Sequence, residues 1–179
     1  PWPVLAGELE PCAGIDNGPL TGGDATDYAG CAAANGIPAE NFRNVGFVPN
    51  TLMPAILREA DVALFPNRCE GGTNLVAMEA MACGVPVILS ANTGHRDLIG
   101  DGRCIALERQ ARVPDAPGEE GAREGWGESD VGEIVEALER VYADREAARA
   151  TGAAGAAFMR GLDWSVQAAA LRRAIVATL

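Results

Sequence analysis

Residues 61–90 read DVALFPNRCEGGTNLVAMEAMACGVPVILS, and the succession of residue types in this stretch decides the fold. Val62-Ala63-Leu64-Phe65 is an apolar run closed by Pro66, short enough to be a fully buried strand. A polar loop with two adjacent glycines follows, Asn67-Arg68-Cys69-Glu70-Gly71-Gly72-Thr73-Asn74. Residues 75–83 are almost all good helix formers and predict a helix. Gly84 stands where a helix end favours glycine, and Pro86 blocks continuation. Val87-Ile88-Leu89 then opens a second buried strand. Strand, glycine loop, helix and strand in sequence form a βαβ unit, which implies a parallel sheet covered by helices.

The loop is where ligand chemistry is expected. The first amides of a helix lack intrahelical acceptors, and the helix dipole adds roughly half a positive charge there. Gly71 and Gly72 allow close backbone approach, and Thr73 or Asn74 can cap the helix. Such a site suits phosphate. Glu70 at the rim and Glu79 inside the helix are placed to accept hydroxyls of a nucleotide held by its phosphates. A tight turn at Gly71-Gly72 with a solvated Glu79 accounts for the same residues on spacing alone.

The stretch resembles the signature of the group 1 glycosyltransferases, family 4 of the carbohydrate-active enzymes, which have the two-domain GT-B architecture. The likeness rests on Pro66-Asn67, Glu70, Gly71-Gly72-Thr73-Asn74 and, most closely, Glu79-Ala80-Met81-Ala82-Cys83-Gly84-Val85-Pro86-Val87. It extends over residues 40–110 and is weak outside them. One departure is that eight residues separate Glu70 from Glu79, where the family usually has seven. The resemblance implies an α/β fold, a Rossmann-like and mostly parallel sheet with helices on both faces, forming the C-terminal donor-binding half of a GT-B enzyme. It implies transfer of a sugar from a nucleotide-diphosphate donor, with retention at the anomeric carbon and without a metal or other cofactor. The amides of Gly72, Thr73 and Asn74, flanked by Gly71 and Leu75, would face the diphosphate. Glu79 would hold the ribose, and Glu70 would act at the transferred sugar as the catalytic candidate.

Three further contacts follow from the same resemblance. Asn44-Val45-Gly46-Phe47-Val48-Pro49 is similar to the segment that flanks the nucleobase, which makes Val48 a base-contact candidate. Thr93-Gly94-His95-Arg96-Asp97 is similar to the Gly-Gly-x-x-Glu segment near the distal phosphate. His95, the only histidine, is thus a donor-binding candidate, although a lone histidine is more often a surface or satisfied polar residue. Of the nearby basic residues Arg43, Arg68 and Arg96, Arg68 is best placed for phosphate, with a solvated loop residue as the alternative. The basic pair that family members carry early in this domain is not found. The chain is therefore expected to begin inside the domain and to lack an N-terminal acceptor domain.

The 179 residues are 48% hydrophobic, sufficient for a domain with a real core. A net charge of −11 argues against nucleic acid or anionic membrane partners. The five cysteines show no metal-ligand spacing and read as free thiols of a cytoplasmic protein. No run has the length of a membrane span, so any membrane association would come through the missing domain.

Along the rest of the chain, residues 1–25 read as irregular and a helix is predicted over 25–34, ending at Asn35-Gly36. A strand is predicted over 42–48, then a helix capped by Asn50 or Thr51. A strand is expected over 104–107 and a long polar surface loop over 108–127. Asp130 begins an amphipathic helix, in which Val131, Ile134, Val135, Leu138, Val141 and Tyr142 recur at helical spacing. Two terminal helices occupy 147–179, the second capped by Asp163 or Ser165. The whole is read as one nucleotide-sugar-binding domain. Two other functions fit the same residues: a sugar-nucleotide epimerase of this architecture, and a non-catalytic nucleotide-binding or interaction module.

Overall fold

The computed structural model describes residues 28–45 and 48–178. The chain forms two units, Pro1–Val48 and Pro49–Leu179. In the first, helix α1 (Tyr28–Ala34) ends where Gly36 turns to φ 73°. There the amides of Gly36 and Ile37 bond back to Ala33 O and Ala32 O at 3.0 and 2.9 Å, a Schellman closure at the predicted Asn35-Gly36 stop. A 3-10 turn, Ala39–Asn41, follows. The predicted strand over 42–48 is not among the strands of the described residues; Phe42 is extended, at φ −120° and ψ 129°, but outside the sheet. The irregular stretch 1–25 and the first residues of the predicted helix lie outside the described residues.

The second unit holds the α/β layers. Strands β1 (Ala63–Phe65), β2 (Val87–Ser90) and β3 (Ile105–Leu107) form a parallel sheet in the order β1-β2-β3. Ala63 pairs with Val87, and Ile88 with Ile105. Alternate strand residues feed two separate cores, which is why helices lie on both faces. Ala63, Phe65, Val87 and Leu89 pack with Leu57 of α2 (Met53–Leu57) and with Ala77, Ala80 and Met81 of α3 (Leu75–Ala82). Leu64, Ile88, Ile105 and Leu107 pack on the other side with Ile134, Ala137, Leu138 and Val141 of α4 (Val131–Ala143). Met81, Ile88, Leu89, Leu98 and Leu107 are fully buried. Each contributes roughly 1.5–3 kcal/mol of hydrophobic stabilisation.

Helix α5 (Arg145–Arg160) crosses α3, and its two interior glycines mark the contact. A Cβ on Gly152 would stand 2.1 Å from Gly84 O, and one on Gly155 3.0 Å from Arg103 O. These glycines weaken the helix locally and permit close backbone packing in exchange. Gly84 itself, at φ 78°, ends α3 as the sequence predicts, with Val85 N–H bonded to Ala80 O at 3.1 Å. Helix α6 (Trp164–Ala177) is capped by Asp163.

Two expectations are corrected here. The cap of α2 is Leu52, with no side-chain bond, instead of Asn50 or Thr51; Pro54 in its first turn presets the helical φ. The segment 108–127 is bounded by an antiparallel pair, β4 (Gln110–Arg112) with β5 (Gly127–Ser129), in place of an unbroken loop. Between them, Asp115 accepts hydrogen bonds from the amides of Gly121 and Arg123, which hold its carboxyl below the usual carboxylate range. Among the described residues no helix is long and apolar enough to cross a membrane, and Cys69, Cys83 and Cys104 are free thiols.

Candidate functional site

The site is built at the carboxyl ends of β1 and β2, where parallel sheets place ligands. From β1 the chain runs through the loop 66–74 into α3. Asn74 caps the helix: its Oδ1 accepts from Ala77 N–H at 3.0 Å. To do so Asn74 adopts φ 56°, a left-handed conformation that costs a non-glycine residue on the order of 1 kcal/mol and that asparagine tolerates best. Of the two predicted caps it is therefore Asn74, not Thr73.

The rim of this loop is open. Gly71 and Gly72 are exposed, and a Cβ on either would meet nothing within 4 Å. The backbone N–H groups of Gly71, Gly72, Thr73, Asn74, Leu75 and Val76 donate to no acceptor among the described residues. Leu75 and Val76, 73% and 52% exposed, lie one helical turn ahead of the exposed Glu79 on the same face of α3.

Beneath the rim the loop is closed and polar. Gly94 lies against it so tightly that a Cβ there would fall 1.4 Å from Gly72 O, and Gly94 N–H donates to Glu70 O at 3.2 Å. Glu70 N–H donates to Thr93 Oγ1 at 2.7 Å, and Thr93 Oγ1 donates to Asn92 Oδ1 at 3.0 Å. Buried Asn92 directs its Nδ2 at Asn67 O, Gln110 Oε1 and Gly127 O, at 2.9, 3.0 and 3.1 Å. Ser90 and Ser129 share a hydroxyl bond of 2.7 Å. This network ties the loop, the end of β2 and the β4–β5 pair together.

His95, in the 3-10 turn Thr93–Asp97, is completely buried. Its Nδ1 lies 3.1 Å from Ser90 O and its Nε2 2.8 Å from Asn74 Nδ2. Burial pushes the imidazole below its ordinary pKa near 6.5; the Ser90 carbonyl and the Glu70 carboxylate oppose that shift.

The sequence-derived candidates thus fall in four places. Glu70, Gly71, Gly72, Thr73, Asn74, Leu75 and Glu79 come together on the loop and the first turns of α3. His95 sits below them, in contact with Asn74 rather than with open space. Arg68 is exposed and pairs with Glu128 of β5, while its carbonyl accepts from Gly127 N–H at 2.9 Å. Val48 is the last residue of the first unit and is half-buried. Sequence reasoning missed Asn92, Gln110 and Ser129. The one available signal was an asparagine two residues past a buried strand, where the chain must satisfy a broken ladder.

A family profile, "Glycosyl transferases group 1", matches residues 20–144. The chain belongs to the group 1 glycosyltransferases. Over 65 residues the chain is 36% identical to O-antigen chain mannosyltransferase B of Escherichia coli; the match takes in 36% of this chain and 17% of that protein. In structure it is similar to sucrose-phosphate synthase from Thermosynechococcus elongatus, with a TM-score of 0.62 and 24% identity, covering 84% of this chain and 34% of the other. It is also similar to Anabaena HepE in complex with UDP, with a TM-score of 0.58 and 16% identity, covering 84% and 35%. The chain therefore spans about a third of the length of these structural neighbours and matches a smaller share of the mannosyltransferase. The expected GT-B, Rossmann-like fold is that of both structural neighbours.

Proposed function

We propose that this chain is the donor-binding part of a retaining glycosyltransferase and binds a nucleotide-diphosphate sugar at the Gly71-Gly72 loop. The observation that carries the reading is the run of amides from Gly71 to Val76 without acceptors among the described residues, presented at an open helix N-terminus. In a chain of charge −11, a diphosphate needs such local dipoles. The UDP in the HepE complex supports a nucleotide ligand for this fold.

In this reading the amides of Gly72, Thr73 and Asn74 stabilise charge growing on the departing diphosphate, and no metal is required. Preorganised donors of this kind contribute about 3 kcal/mol each to the transition state. The nucleoside lies along α3, with Leu75 and Val76 offering apolar surface and Glu79 accepting the ribose hydroxyls. Glu70 faces the transferred sugar; its backbone is fixed at both N–H and C=O, and Asn67 Nδ2 reaches its carboxylate at 3.4 Å. Arg68 adds a cation at the rim, tempered by Glu128. The acceptor is held by a further, N-terminal domain.

Calorimetric titration with the diphosphates of uridine, guanosine and adenosine tests this. Binding of one of them, weakened about tenfold by Glu79→Ala, is expected for a charge-assisted pair of hydrogen bonds. No binding to any of the three would leave an interaction module as the better reading.

A further inference from the structure

We infer that His95 is a positioning residue of the glycine loop, holding Asn74 through a neutral imidazole whose Nδ1 carries the proton. The inference rests on the donor-site reading for its consequence, but its geometry stands apart from any ligand.

The proton assignment follows from the partners. Ser90 O can only accept, so the ring nitrogen 3.1 Å away, Nδ1, is the donor. In a neutral ring Nε2 then has a lone pair, and it accepts from Asn74 Nδ2 at 2.8 Å. That bond decides which way the Asn74 carboxamide faces. With Nδ2 turned to the imidazole, Oδ1 is left for Ala77 N–H at 3.0 Å, and the helix cap is made. Reversal of the amide would set an NH2 group against the Ala77 N–H and an oxygen against a lone pair. One side chain thus selects the capping orientation of another, while that residue holds a backbone conformation it adopts only at a cost.

The chain of bonds runs from a rigid element to an open one. Ser90 ends β2, the fully buried central strand, and Asn74 is the hinge between the loop amides and α3. All three residues are buried. A hydrophobic side chain at position 95 would fill the same space, leave Asn74 Nδ2 without its acceptor and leave Ser90 O with the Asn92 N–H alone, at 2.9 Å. The sequence suggests ligand contact for the only histidine; its complete burial routes any effect on a ligand through Asn74.

Because the chain has one histidine, its ring nitrogens can be read in the unmodified protein by long-range proton–nitrogen NMR. The expected signature at pH 7.5 is a neutral ring with protonated Nδ1. A ring protonated at Nε2 would overturn the inference. Two variants then test the consequence. His95→Leu keeps volume and loses both partners, whereas His95→Gln can place an acceptor near the position of Nε2. In the ligand-free chain, exchange of the Ala77 amide is expected to rise about tenfold in His95→Leu and to stay within about threefold in His95→Gln. Nucleoside-diphosphate affinity should fall by about tenfold in the first and recover in the second. Equal Ala77 exchange in His95→Leu and wild type would refute the positioning role, as would undiminished affinity in His95→Leu where the wild-type chain binds. A wild-type chain that binds no nucleoside diphosphate sinks the donor reading alone, since the tautomer and the Ala77 amide still decide on His95. If His95→Leu fails to fold, the tautomer in the unmodified chain and the His95→Gln exchange rate carry the test.

Discussion

Gly72 and Gly94 are in contact, and the two sides of that contact have opposite character. At Gly72, as at Gly71, a Cβ would project into open space, whereas at Gly94 it would stand 1.4 Å from the Gly72 carbonyl oxygen. The same closed character recurs on the far side of α3, where a Cβ at Gly152 would stand 2.1 Å from Gly84 O. Glycine at the rim provides access; glycine at the seams allows two backbones to approach. Sequence alone gives these positions the same letter, and only packing separates them.

The contrast can be broken in four ways, beginning with the largest effect. Gly72→Asp sets a carboxylate among the open amides at a residue without a positive φ. Calorimetry should show nucleotide affinity reduced by about a hundredfold or more, roughly 2.7 kcal/mol, while urea unfolding moves by no more than about 0.5 kcal/mol. Unchanged affinity would remove the loop from the site. Gly152→Ala should do the reverse, costing about 2 kcal/mol in urea unfolding even after the gain in helix propensity and leaving the affinity of the folded chain intact. The turn that it meets is locked between α3 and β2, so little can give.

Gly94→Ala meets a closer clash, 1.4 Å from the Gly72 carbonyl oxygen, which is relieved only if the glycine loop moves off its seat. A loss of about 1 kcal/mol in stability with about a tenfold loss of affinity is expected. Affinity retained at wild-type level would mean that the loop does not need its seat. The smallest effect concerns pH. His95 is held by burial below its unfolded value near 6.5, so the unfolded chain takes up the proton first. Its contribution is complete above pH 6.5 and declines as pH falls below that value toward the folded pKa. Glu70 is the carboxylate that opposes the shift. Melting temperatures followed from pH 7.5 to 5.5 should therefore drop more steeply for the wild type than for His95→Gln; parallel curves would contradict this.

Legibility in the sequence followed the same division. Strands β1, β2 and β3 and helix α3 were readable because apolar runs and helix formers report burial directly, with Gly84 and Pro86 marking the boundary. The caps at Asp130 and Asp163 were readable from local chemistry, and both side chains accept backbone amides. The β4–β5 pair was not. Gln110, Glu128 and Ser129 are polar, and the inner pair of them is fixed by hydrogen bonds to Asn92 and Ser90, which no hydrophobic period encodes. The loop residues were legible as a set through the family likeness. What lies beneath them was not, because the network that seats the loop draws on Asn92, Thr93 and His95, whose roles depend on tertiary distances.

The most direct test of the central claim is an amide NMR titration with the nucleoside diphosphate that calorimetry identifies. The account predicts that the largest downfield nitrogen and proton shifts fall on Gly71, Gly72, Thr73 and Asn74, as amides without acceptors gain phosphate oxygens. Shifts that cluster elsewhere and leave these four amides in place would contradict it.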